Sequence, residues 1–237
     1  VQTAIAAIDA GYCHTVLCCF GTQNWPQGVA LQLFGSEFQV PYGDVGAICL
    51  MAHIKRRQQH EHGYRDEHYG RVAVTWRQHA MRNPDAQMKK PMPLDDYMAS
   101  RWVAEPLRLF DCCPNTDGGG ACVVTSLEQA RDLRHAPVRV LGDGQSHSSE
   151  IIHTRSQDPA KLGGAKAEER AIKMAGGLIS EGHLSGFGHI REGVRQLRGE
   201  CGERQVEGAE LCLVTGYGGA PHEAPPTVSY SGLILAR

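Results

Sequence analysis

The stretch VQTAIAAIDAGYCHTVLCCFG, residues 1–21, decides how the chain is read. Val1, Ile5 and Ile8 recur at helical spacing, and Gly11 is a helix stop. HTVLCCFG (14–21) is then a continuous apolar run of strand length, the pattern of a strand covered on both faces. The same order returns near the other end. IREGVRQLRG (190–199) puts Ile190, Val194 and Leu197 on one helical face and closes at Gly199. AELCLVTGYGG (209–219) follows as a buried strand ending in glycines. After an excursion each unit reaches a further strand, GGGACVVTS (118–126) in the first and SYSGLILAR (229–237) in the second. One topology is used twice.

The segments between these units differ in character. From Thr22 to about Arg101, glycine, proline, aromatic residues and histidine become frequent, which marks an inserted loop domain. Within it a charged helix is predicted over Asp66–Met81, stopped by Asn83-Pro84, and a second short helix over LDDYMASRWVA (94–104). Asp117–Gly120 and Gly142-Asp143-Gly144 read as turns. SLEQARDLR (126–134) is a helix with Ser126 as N-cap, PVRVLGDG (137–144) a strand, and HEAPP (222–226) a proline-rich turn. The join between the halves falls near Arg134 to Pro137, giving units 1–135 and 136–237.

Composition narrows the function classes. The 237 residues are 41% hydrophobic and 21% charged, a globular balance with core enough for one large or two small domains. A net charge of -2 argues against a broad nucleic-acid footprint, and no apolar run approaches a membrane span. Nine cysteines, an odd number with no CxxC pair, read as reduced, mostly buried thiols of a cytoplasmic protein. His60, Glu61, His62, Glu67 and His68 form a dense cluster without the spacing of a metal motif, so no metal is expected. Val1 opens inside a helical pattern with no cap before it, and Met174-Ala175-Gly176 runs straight into Gly177-Leu178. Both suggest sequence missing from this chain.

The duplicated halves, DCCPNTDGGGACVVTSLEQARDL, SEGHLSGFGHIREGVRQLRG and the terminal TVSYSGLILAR together resemble the thiolase superfamily. Within it they are similar to the thiolase-like acetyl-CoA acetyltransferases and the sterol-carrier or lipid-transfer thiolases. The resemblance covers almost the whole chain. It implies an α/β fold, layered αβαβα, built from two similar halves with a loop domain over the active site. It also implies chemistry on acyl-CoA: a cysteine thiolate holds the acyl group, a histidine activates it, and a second acid/base moves the proton alpha to the carbonyl.

Carried over residue by residue, Gly182-His183 matches the family's Gly-His motif, so His183 is the candidate catalytic histidine. The family nucleophile would fall ahead of Val1, and none of the nine cysteines replaces it. Where the family often has a second cysteine this chain has Thr215 and Tyr217, which makes Tyr217 the candidate second acid/base. Ser146, His147, Ser148, Gly182 and Gly218 lie where the resemblance implies contact with coenzyme A. Coenzyme A enters as substrate, with no covalently bound cofactor. Lys55-Arg56-Arg57 and Lys89-Lys90 are further candidates for its phosphates.

The resemblance leaves more than one function open. A Cys/His acyltransferase acting on a bulky acyl-CoA is one. A non-catalytic acyl-CoA-binding or scaffold subunit is another, and a retro-aldolase working with a small OB-fold, zinc-ribbon partner is a third. The aldolase branch tends to carry tyrosine at the position of His183, which favours thiolase chemistry. A homodimer is expected by resemblance.

Overall fold

Two short helices, each followed by a strand, generate the frame. The computed structural model describes residues 1–22, 40–43, 46–148, 186–220 and 227–237. Helix α1 (Gln2–Asp9) leads through Gly11, at a positive φ of 74°, into strand β1 (Thr15–Thr22). Only glycine adopts that backbone without cost, and this sets the turn. β1 pairs antiparallel with β4 (Gly118–Thr125), from Thr15 opposite Thr125 to Thr22 opposite Gly118. The helix near the far end, α6 (Phe187–Arg198), closes at Gly199 in the left-handed region and leads to β6 (Leu211–Ala220). β6 pairs antiparallel with β7 (Thr227–Ala236), whose other edge takes β5 (Arg139–Ser148), for the order β5-β7-β6.

Both helices lie between the two sheets. α1 packs on β1 and β4, while Val1 at its start joins the cluster of Leu197, Val214, Leu233 and Leu235 on the other sheet. α6 presents Ile190, Val194 and Leu197 to that cluster. At Gly193 a Cβ would lie 3.0 Å from Cys212 Sγ and 3.1 Å from Val214 Cγ2, so glycine is what lets α6 settle onto β6.

Between β1 and β4 lies a helical subdomain: α2 (Gly46–His62), α3 (Asp66–Met81), α4 (Leu94–Ala99) and a small hairpin of β2 (Trp102–Ala104) and β3 (Leu107–Arg108). Its centre is a buried ion network. Lys55 Nζ, 3% exposed, donates to Asp111 Oδ2 at 3.0 Å and Tyr97 Oη at 3.3 Å, and lies 4.4 Å from the centre of the Tyr69 ring. Asp66 receives Arg108 through Nε and Nη2, and Tyr97 Oη donates to Asp111 Oδ1 at 2.8 Å. Burial, reinforced by Asp111, pushes the Tyr97 phenol far above its usual range, and burial raises Tyr69 to about 12. Both phenols therefore stay neutral, and Lys55 ties α2 to α4 and to the segment after β3.

Several expectations are corrected. Gly118–Gly120, read as a turn, belong to β4, and Gly142–Gly144 lie in β5 beside a bulge, whereas the glycines of 216–219 end a strand, β6, as expected. In the first two cases pairing to a neighbouring strand overrides the local turn preference. The helix from residue 94 stops at Ser100, and 102–104 is a strand, because the chain there pairs with β3. The helix after Ser126 is four residues long, α5 (Leu127–Ala130), although Ser126 caps it as predicted, its Oγ accepting from the Gln129 N–H. The cysteines are free but not mostly buried: Cys201 alone is fully buried, whereas Cys19 and Cys113 are exposed. α3 matches its predicted bounds.

Candidate active site

The first turn of α6 is fixed by contact with the β1–β4 ribbon. Gly186, at φ 86°, starts it. The Phe187 ring stacks on Phe20 of β1, centroids 6.3 Å apart and planes 15° apart. Gly120 on β4 lies beneath it, where an added Cβ would fall 2.7 Å from Phe187 Cβ. The glycine run before ACVVTS thus supplies close approach rather than a turn.

The loop domain grips the same helix from another side. Asp85, just beyond α3, accepts a hydrogen bond from Arg191 and lies 3.7 Å from Arg195. The Arg191 hydrogen bond holds the Asp85 carboxyl below the usual carboxylate range. Arg204 donates to the Arg82 carbonyl at 3.3 Å and forms a buried two-pronged pair with Glu192, at 3.0 and 3.3 Å. Gln196 adds hydrogen bonds to Glu192 and to the Arg204 carbonyl. His189, Glu192 and Gln196 form one buried polar stripe along α6. Among the described residues the Nδ1 of His189 has no hydrogen-bond partner, and burial lowers its pKa, so the imidazole is neutral.

The far end of the β5-β7-β6 sheet gathers the other candidates. Arg198, at the C-terminus of α6, reaches the Ala136 carbonyl ahead of β5, whereas Gly193 sits over Cys212 and Val214. The N-terminus of α6 therefore points toward the Thr215–Ala220 end of β6. There the backbone register puts Ser146, Tyr230 and Tyr217 in one row. His147, Ser229 and Gly218 form the next row, and Ser148 lies opposite Val228. Five of the candidates thus share one sheet end. Gly182 and His183 lie outside the described residues. The buried hydroxyl of Thr215 has no partner among the described residues.

Three features escaped the sequence reading: the Phe20–Phe187–Gly120 contact, the buried His189, and Tyr230 between the two candidate strands. His189 had a signal, since Gly188-His189 repeats the Gly182-His183 dipeptide six residues later. Among the described residues no group of three or more His, Cys, Asp or Glu is placed to hold a metal. The Tyr64 ring instead contacts both the His62 and the His68 ring. Nor, among the described residues, is any helix long and apolar enough to cross a membrane.

This two-sheet frame with central helices is an α/β fold of the thiolase class. Residues 144–228 match the family model described as thiolase C-terminal domain-like. The chain is 38% identical to a steroid side-chain-cleaving aldolase of Thermomonospora curvata, over 61% of this chain and 40% of that protein. It is 31% identical to a 17-hydroxy-3-oxo-4-pregnene-20-carboxyl-CoA lyase of Mycobacterium tuberculosis, over 84% of this chain and 65% of the relative. An acetyl-CoA acetyltransferase of Methanothermobacter thermautotrophicus is 26% identical over 92% of this chain. A solved Ltp2-ChsH2(DUF35) aldolase superposes with a TM-score of 0.78 at 28% identity, covering 99% of this chain and 75% of that one. A monomeric SCP2-thiolase-like protein of Mycobacterium smegmatis superposes at 0.72 with 16% identity, which speaks to the fold. The chain belongs to the thiolase superfamily, in its SCP2-thiolase-like branch. It spans 40% and 65% of the first two relatives named.

Proposed function

We propose that this protein cleaves a carbon–carbon bond in a bulky CoA thioester at the N-terminal end of α6. The observation that carries this is the seating of the first turn of α6 on the Phe20–Gly120 ribbon. Breaking the bond next to a thioester leaves an enolate, whose oxygen needs a fixed positive field. A helix N-terminus with free N–H groups is such a field. His183 precedes Gly186 by three residues, about 10 Å of chain at full extension, which keeps it within reach of that end. We assign it the oxyanion contact and proton transfer. Tyr217 is the second acid/base, and Ser146, His147, Ser148, Gly182 and Gly218 line the coenzyme A arm. Coenzyme A arrives as the substrate's thioester.

The mode we favour is lyase. A base takes the proton of a 3-hydroxyl, the bond between C2 and C3 breaks, a ketone leaves, and the enolate is protonated to a shorter acyl-CoA. No free coenzyme A is consumed. Support comes from the aldolase and the lyase being more similar to this chain than the acetyltransferase is. Thiolysis is the second reading, favoured by the Gly182-His183 motif; it consumes one coenzyme A per cleavage and needs a cysteine to carry the acyl group. The division into units 1–135 and 136–237, a homodimer, a small OB-fold or zinc-ribbon partner and a cytoplasmic location complete the proposal. The Ltp2-ChsH2(DUF35) assembly supports the partner.

Coenzyme A stoichiometry separates the two modes. With 17-hydroxy-3-oxo-4-pregnene-20-carboxyl-CoA and no added coenzyme A, lyase action yields ketone and shortened acyl-CoA one to one. Cleavage of a 3-oxoacyl-CoA that stops when free coenzyme A runs out would instead establish thiolysis.

A further inference from the structure

Cys18 and Cys122 are directly opposite each other in the β1–β4 register. Opposed residues of an antiparallel pair have Cα atoms about 4.5 or 5.5 Å apart, and both spacings lie within the range a disulfide spans. Both side chains are on the face turned toward the helix layer, the face that also carries Phe20 and Gly120. Both are half-buried, so a small reagent has access. No other two cysteines pair in the described strands. Cys19 lies opposite Ala121 on the outer face, and Cys212 lies opposite Leu235. Burial raises the Cys122 thiol, and the adjacent Cys18 sulfur adds to that by accepting its hydrogen bond. The raised Cys122 thiol is assigned the resolving role, and its partner across the ribbon, Cys18, the first attack.

We propose that Cys18 and Cys122 are a reversible dithiol–disulfide site that staples β1 to β4 beneath the seat of α6. The oxidant is a low-molecular-weight disulfide. The Cys18 thiolate attacks one of its sulfurs, forming a mixed disulfide and releasing one thiol. Cys122 loses its proton and attacks Cys18 Sγ, releasing the second thiol. The protein gives up two electrons and two protons, and the small disulfide becomes two thiols. The bond links positions on either side of the whole loop domain. It locks the ribbon two residues away from the Phe20–Gly120 contact with Phe187. This inference does not depend on the reaction the protein catalyses.

The native protein is incubated with oxidised glutathione, its remaining thiols are alkylated, and peptides are mapped by mass spectrometry before and after dithiothreitol. The expected result is a Cys18–Cys122 cross-linked peptide as the principal disulfide, with both thiols lost together and both recovered on reduction. In Cys122→Ser, Cys18 should stop at the glutathione mixed disulfide. Glutathione on the exposed Cys19 and Cys113, with Cys18 and Cys122 both alkylated as free thiols, overturns the proposal. The wild-type map decides the matter alone if the variant does not fold.

Discussion

Gly120→Ala tests whether the seat of α6 is as tight as it looks. The added methyl group would stand 2.7 Å from Phe187 Cβ, 2.9 Å from Cγ and 3.0 Å from Cδ1. The nearest atom is bonded directly to the helix backbone, so a rotamer change cannot clear it. Alanine in place of a strand glycine gains about 0.5–1 kcal/mol through the unfolded chain. Overpacking costs about 1–3 kcal/mol. The net expectation is a loss of roughly 0.5–2 kcal/mol in urea unfolding. Because the methyl group pushes on the first turn of α6, activity should fall further than stability does; a displacement on the order of 1 Å costs up to 10²-fold in rate. Phe187→Gly removes all three contacts, so the double variant should recover part of the Gly120→Ala stability loss. Unchanged stability and unchanged turnover in Gly120→Ala would show that α6 is not held at this contact, and the site assignment would fail with it.

Other consequences follow from the buried charges. Arg204→Met leaves Glu192 buried without its cation and should cost about 3–5 kcal/mol in chemical denaturation, whereas the paired Glu192→Met/Arg204→Met chain should be much closer to wild type. Lys55→Met leaves Asp66 its Arg108 partner but strands the buried Asp111 beside the Tyr97 phenol without a cation, and should lose a similar amount, with hydrogen exchange accelerated first in α2 to α4. His189 carries a pH signature. Its folded pKa is lowered from 6.5 by burial, so the unfolded chain binds more protons below that value and stability falls as pH drops through 6.5 toward the folded pKa. His189→Leu should lack that slope in urea titrations between about pH 7 and 5; parallel slopes in the two proteins would contradict the assignment.

Much of the frame was legible because apolar periodicity and glycine stops are local signals. VQTAIAAIDAG and IREGVRQLRG folded as read, and Ser126 caps its helix; HTVLCCFG is a strand as expected, but one of its faces is open, with Leu17 63% exposed, and not covered on both sides. The glycine clusters were misread because their function is long-range. Gly119 and Gly120 are glycines since Phe20 O and Phe187 Cβ lie within 3 Å of where a Cβ would stand, and both contacts come from distant parts of the chain. α2 was missed since its sequence, rich in charge and histidine, has a weak apolar face; it is held by the burial of Lys55. Of the candidate residues, Ser146, His147, Ser148, Tyr217 and Gly218 were found by resemblance alone. That β7 draws them to one sheet end is a matter of strand order, which no single segment encodes.

Enolate formation at the α6 terminus is common to lyase and thiolase modes, so exchange of the C2 hydrogens of propionyl-CoA with deuterated water tests it without reference to either. The account predicts exchange by the wild-type protein well above the buffer rate, and a loss of about 10²–10³-fold in His183→Ala. Exchange at the buffer rate in the wild type, or exchange unaltered in His183→Ala, would contradict it.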